Sequence, residues 1–228
     1  MSHPSLVALQ RSVRLEAFVL ADSFPCLGAR SAFHTGRAHT ASFGRLGDDE
    51  ILPMQALCDA LASFSAAYPD PGEAPVTFIA MFDDDVGDEQ DFERRLWRHL
   101  QGLHRCDRFD FDWAPGVSSD PQSPEFSFSI AGRAFFVVGL HPHASRMARR
   151  APMPCVVFNF HDQFEQLRAG GKYDRMQRVI RGRDVALQGH ANPVLSRFGE
   201  ASEARQYAGR AVGADWGCPF RPGVQHGR

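Results

Sequence analysis

No apolar run in the sequence approaches the roughly 18 residues that a membrane-crossing helix requires, so a soluble chain without a membrane partner is expected. The first residues also lack the basic segment, apolar core and small-residue cleavage site of a secretory signal, which points to the cytoplasm. Cysteine is sparse and scattered: Cys26, Cys58, Cys106, Cys155 and Cys218 are odd in number and form no C-x-x-C, which argues against a disulfide framework and a zinc ribbon. Lys172 is the single lysine among 25 basic residues, a bias read as genomic base composition rather than a recognition code. The glycine-rich fingerprints of dinucleotide and P-loop sites are missing, as are G-x-S-x-G and H-E-x-x-H, so nucleotide, serine-hydrolase and zincin chemistry have no support. With a net charge of −2 and no RNP or zinc-finger pattern, nucleic acid is not an expected partner.

The composition that is present is that of an ordinary globular chain, 43% hydrophobic and 23% charged over 228 residues. That length supports one large core and reads as a single domain, 1–228, with 221–228 a disordered tail. Phenylalanine dominates the aromatics, at 19 against three Trp and three Tyr, which suits a core or a pocket walled with apolar rings. Apolar spacing at Leu6, Leu9, Val13 and Phe18 predicts a helix near the start, and 24–43 reads as a structured loop because Pro25, Gly28 and Gly36 break regularity. An amphipathic helix over 48–68 precedes the buried strand VTFIAMF. The acidic run DDDVGDEQDFE that follows does not place a glycine at the sixth position of a calcium loop, so Asp88 and Asp91 are read as the start of the next helix. EFSFSIAGRAFFVVGL reads as a hairpin turning on Ala131-Gly132. Two further helices, 163–169 and 173–185, follow, the second with a solvent-facing stripe of Arg175, Arg178, Arg181 and Arg183. Strands near 38–43, 76–82, 126–131, 134–140 and 154–159 with helices packed on them predict an α+β fold around a mainly antiparallel sheet; mixed α/β is the alternative.

The chemistry gathers between Gly139 and Asp184. Nine Lys+Arg against four Asp+Glu over 139–188 make this the basic part of a chain whose 47–125 stretch is acidic. The apolar strand FFVVGL ends in His141, Pro142 and His143, and a second apolar run, Cys155 to Phe158, leads into Asn159 and His161. Two histidine-bearing turns thus stand at strand ends, where sites are often built. One use of this set is a haem: imidazole for the iron, phenylalanine walls for the macrocycle, and Arg146, Arg149 or Arg150 for the propionates. His141, held by Pro142, is the first choice of iron ligand, with His161 its rival and Cys218 or Cys26 the thiolate alternatives. If the chain turns helical from Ala144, Arg146 and Arg149 share a face and address one anion. The opposing reading makes the histidines core or surface residues and the arginines partners in structural ion pairs. A non-haem metal enzyme built on His141 and His143 is a further alternative.

FPCLGARSAF, GLHPHASRMARR, VVFNFHDQFEQLR, KYDRMQRVIRGRD followed by ALQG, GEASEARQYAGR and DWGCPF occur in this order between about Phe24 and Phe220, and with them the sequence resembles the YqcI/YcgG family of bacterial proteins. The resemblance implies a haem-dependent monooxygenase: haem b, O2 and an external electron donor or reductase, hydroxylating a guanidine or amine nitrogen of an amino-acid-derived small molecule in natural-product biosynthesis, as in the guanitoxin pathway. A non-catalytic haem sensor or carrier is the alternative, and a homodimer is compatible with either. For a cationic substrate, Asp162 and Glu165 beside His161 are expected to form a carboxylate fence, with Asn159 and Gln163 adding neutral hydrogen bonds. The opposing reading has Asp162 stabilise its helix start and Glu165 pair with Arg168.

Overall fold

Apolar alternation along the strands decides how the chain layers. A computed structural model describes residues 6–48, 50–194, 196 and 198–223. Its strands are β1 (Ala38–Ser42), β2 (Thr77–Met81), β3 (Phe128–Ile130), β4 (Arg133–Leu140) and β5 (Cys155–Phe160), joined in one sheet in the order β1-β2-β5-β4-β3. Only the β1–β2 pair is parallel. The fold is therefore α+β with a mixed, mostly antiparallel sheet, as the strand pattern predicts. The helices are α1 (Leu6–Leu20), α2 (Leu27–His34), α3 (Ile51–Ala67), α4 (Glu89–Asp107), α5 (His161–Ala169), α6 (Tyr173–Gln188) and the short α7 (Ala204–Tyr207).

Successive side chains of a strand point to opposite faces. On one face Phe158 stands between Phe78 and Val137, and Val156 beside Ala80. This face meets Leu57, Leu61 and Phe64 of α3 and Phe92, Leu96 and Leu100 of α4 in the larger core, where Phe64 stacks on Phe160 at 4.7 Å. On the opposite face Val157 stands between Ile79 and Val138, and Asn159 between Thr77 and Phe136. Leu15 and Val19 of α1 cover part of that face together with Phe24 and Met153. Fully burying a side chain of this size contributes about 1.5–3 kcal/mol, so the two-sided burial holds the sheet between helical layers.

Several local readings are corrected. The stretch expected to be a loop contains α2: Pro25 lies just before the helix, where a missing N–H costs nothing, and Cys26 is its N-cap, with Sγ accepting from the Ala29 N–H at 3.5 Å. α5 begins at His161 rather than Gln163, and α6 runs on to Gln188, where Gly189 caps it at φ 86°. Asp88 caps α4 through the Asp91 N–H at 2.7 Å, as the acidic run suggested. The β3–β4 hairpin turns through Ala131 (φ 53°) and Gly132 (φ 68°), the mirror-image turn whose twist matches the strands. Of the tail expected to be disordered, Arg221 is bonded to Gln101 in both directions and the Gly223 N–H donates to His104; the remainder of that tail, 224–228, lies outside the described residues.

Candidate functional site

The part of the sheet's second face that α1 leaves bare forms the floor of a cavity of about 330 Å³. Ile79, Val157, Val138 and Phe136 pave it, α2 supplies a wall of Gly28, Ala29, Ala32 and Phe33, and α6 closes the far side with Tyr173, Met176 and Ile180. The size lies within the range of small-molecule and cofactor sites, which are mostly apolar with a few placed polar groups. Among the described residues of α6 only Asp184 is buried, so this helix meets the body through one stripe.

Of the site residues expected from the sequence, Cys26, Arg149, Asn159, His161 and Gln163 line this cavity. Burial pushes the Cys26 thiol up, while the Ala29 and Gly28 amides and the charge of Arg149 act against that shift. Arg149 is held by three carbonyls, Gly139 O at 3.0 Å, Gln206 O at 3.2 Å and Tyr207 O at 3.3 Å, and burial lowers its guanidinium to about 10. Asn159 Nδ2 donates to Phe136 O at 3.2 Å. The His161 ring lies 4.4 Å from that of Phe198, edge-on. Its Nε2 is 3.5 Å from Glu165 Oε1 and its Nδ1 3.7 Å from Glu203 Oε1. That Nδ1 is buried without a hydrogen-bond partner among the described residues.

The other expected site residues lie elsewhere. His141 is 1% exposed, stacked on Phe92 at 4.3 Å, and outside the cavity. Burial first of all lowers it to about 4, and neither ring nitrogen has a hydrogen-bond partner among the described residues, so it sits as a neutral core imidazole. His143 faces Asp85 instead, with Nε2 3.6 Å from Oδ1. Arg146 and Arg149 do not share an anion, because 144–150 forms turns with a single 3-10 turn at Met147–Arg149 rather than an α-helix. Arg146 pairs with buried Asp184. Cys218 belongs to the larger core beyond the sheet. Asp162 lies in the first turn of α5 and also pairs with Arg133 at 2.5 Å, a partner the sequence did not suggest, while Glu165 pairs with Arg168 as the opposing reading has it. Gln163 does line the cavity, but its amide is spent locally, donating to Gly72 O and Ala74 O and accepting from the Val76 N–H. Of the arginine stripe on α6, Arg181 lines the cavity, and Arg183 donates to the carbonyls of Asp22 and Phe24. Among the described residues no group of three or more His, Cys, Asp or Glu side chains is arranged to hold a metal ion.

Sequence reasoning missed Glu203 and Gln206, which also line the cavity. Their only signal was the block GEASEARQYAGR, whose acidic residues carry no periodicity that separates the buried one from its neighbours. The lining is of residue types that fit a haem: a cysteine and a histidine, Cys26 and His161, the apolar rings of Phe33, Phe136 and Phe164, and the cations Arg149, Arg168 and Arg181.

Comparison with known proteins matches residues 15–221 to the YqcI/YcgG family. The Bacillus subtilis (strain 168) protein described as "Uncharacterized protein YcgG" is similar to this chain, 27% identical over 197 residues that cover 82% of this chain and 76% of that protein. No solved structure matches.

Proposed function

The chain belongs to the YqcI/YcgG family, and on that premise we propose that it is a haem-dependent monooxygenase that hydroxylates a guanidine or amine nitrogen of a small molecule. The observation that supports this most directly is the apolar cavity with Cys26 and His161 on its walls and arginines among its lining. Haem b, when bound, supplies activation of O2 with electrons from an external reductase. The balance is one O2, two electrons and two protons per substrate, one oxygen entering the N–H bond and the other leaving as water.

Cys26, the N-cap of α2 on the cavity wall, is the iron ligand in this reading: burial pushes its thiol up, but the Ala29 and Gly28 amides and the charge of Arg149 act against that shift, and an iron ion would complete the thiolate. His161, placed against Glu203 and Glu165, then stands on the substrate side. Arg149, Arg168 and Arg181 are the candidates for the propionates. The rings of Phe33, Phe136 and Phe164 exclude water from the reacting nitrogen.

Purified protein reconstituted with haem is expected to show a Soret band and a ferrous–CO band near ~450 nm, the signature of thiolate ligation. Cys26→Ser is expected to remove the ~450 nm band while His141→Phe leaves it unchanged. With NADH and a reductase, arginine, related guanidines and simple amines are screened for a product heavier by one oxygen. Haem binding with no such product from any of them would assign the protein to carriage or sensing, and no haem binding at all would refute the reading.

A further inference from the structure

Glu203 is a buried carboxylate on the cavity wall whose charge meets no Arg or Lys side chain among the described residues. It is 5% exposed, and its one ionic neighbour among the described residues is His161. Other carboxylates of this region are matched: Asp162 by Arg133, Glu165 by Arg168 and Asp184 by Arg146. Glu203 Oε2 accepts from the Tyr207 hydroxyl at 3.2 Å, a proton shared with Phe135 O at 3.3 Å, and that hydroxyl accepts from the Phe128 N–H at 3.0 Å. The bond turns the carboxylate and holds it. Among the described residues Oε1 has His161 Nδ1 at 3.7 Å, beyond hydrogen-bond distance, and this Nδ1 has no hydrogen-bond partner on a ring only 8% exposed. Two polar atoms, one an acceptor and one unsatisfied, therefore face each other across a gap on the wall of an apolar cavity.

Among the described residues no hydrogen bond reaches Glu203 Oε1, and a buried carboxylate so placed is costly unless a cation completes it. We infer that Glu203 is the recognition group for the cationic nitrogen of the substrate, accepting an N–H of a guanidinium or ammonium on Oε1 while His161 Nδ1 flanks it. The inference deepens the reading of this cavity as the place where such a nitrogen is hydroxylated, and it replaces Asp162 and Glu165, whose charge is already taken by arginines. Tyr207 is a positioning residue: it fixes Oε2 so that Oε1 presents to the cavity. A neutral ureido group of the same shape offers the same N–H donors without the charge. The site therefore separates the two by charge rather than by shape.

The test is calorimetric titration of the purified protein with arginine, homoarginine, agmatine and lysine, and with citrulline as the neutral counterpart of arginine. Wild type is expected to bind at least one cation more tightly than citrulline. Glu203→Gln, which keeps the shape and removes the charge, is expected to weaken that cation about tenfold or more and to abolish the preference over citrulline. Glu165→Gln is expected to stay within about twofold of wild type, as its carboxylate is exposed and paired. Should Glu203→Gln fold poorly by circular dichroism, Glu203→Asp serves in its place: the charge remains but is drawn back, so affinity falls while the preference for the cation persists. Unchanged cation affinity in Glu203→Gln, or a wild type that binds no cation more tightly than citrulline, overturns the inference. Because the titration reads binding and not turnover, a protein that lacks a Soret band yet discriminates through Glu203 would refute the haem reading alone.

Discussion

Gly139 is hemmed in by both a core ring and a backbone carbonyl. A methyl group at this position would lie 2.5 Å from Phe92 Cε1 and 2.9 Å from the carbonyl oxygen of Tyr207, and a backbone carbonyl cannot swing aside as the end of a flexible side chain can. Its own carbonyl and that of Tyr207 both accept from Arg149, so the crowding lies directly behind the cavity wall. Gly139→Ala is expected to destabilise the protein by about 1–3 kcal/mol, the range for overpacking a core. Urea unfolding with an unchanged slope checks it, and a variant as stable as wild type would show that the Tyr207 segment yields freely. The same close packing explains His141: one residue beyond Leu140 on β4, it is stacked onto Phe92 rather than turned toward the opposite face.

At the scale of elements, α6 is lightly anchored for its 16 residues. Its amphipathic stripe roofs the cavity, but its burial is confined to Asp184, which meets Arg146, itself 5% exposed. Breaking a buried ion pair from one side leaves an uncompensated charge and costs about 3–5 kcal/mol, whereas replacing both partners by apolar residues is far milder. Asp184→Asn is therefore expected to speed hydrogen exchange across α6 by orders of magnitude while β2, β4 and β5 keep their protection. The pair Arg146→Met with Asp184→Leu is expected to recover most of the loss. Equal acceleration in helix and sheet would mean that α6 unfolds only with the whole domain.

Over the whole molecule, buried histidines set the response to acid. Burial lowers His99 and His141 to about 4 from an ordinary 6.5, and His39 and His104 shift in the same direction. The unfolded chain thus binds more protons as pH falls from about 6.5, so stability is lost over that interval. Asp107 works the other way: burial raises it to about 6 from 3.8, so its contribution is present below 3.8 and lost as pH rises through 6. Urea midpoints are expected to fall between about pH 7 and pH 4.5. His141→Phe should flatten that decline. Asp107→Asn, which keeps an acceptor for the Ala131 N–H, should steepen it, and a decline unaltered by either substitution would place the acid sensitivity elsewhere.

Strand positions, the hairpin at Ala131-Gly132, the main helices and the α+β class follow from apolar period and turn chemistry, because these depend on neighbours along the chain. So do the family blocks, which are runs of contiguous residues. α2 stayed hidden because Pro25 and Gly28 read as breakers, although a proline just ahead of a helix and a glycine in its first turn are tolerated. The site is another matter. Cys26, Arg149, His161 and Glu203 come from four separate stretches, and nothing local distinguishes Glu203 from Glu200 or His161 from His141. Which face of a strand is covered, which arginine finds a carboxylate and which carboxylate is left facing a cavity depend on how the helices pack across the sheet. Tertiary structure alone decides that, since burial and charge pairing are set by residues distant in sequence.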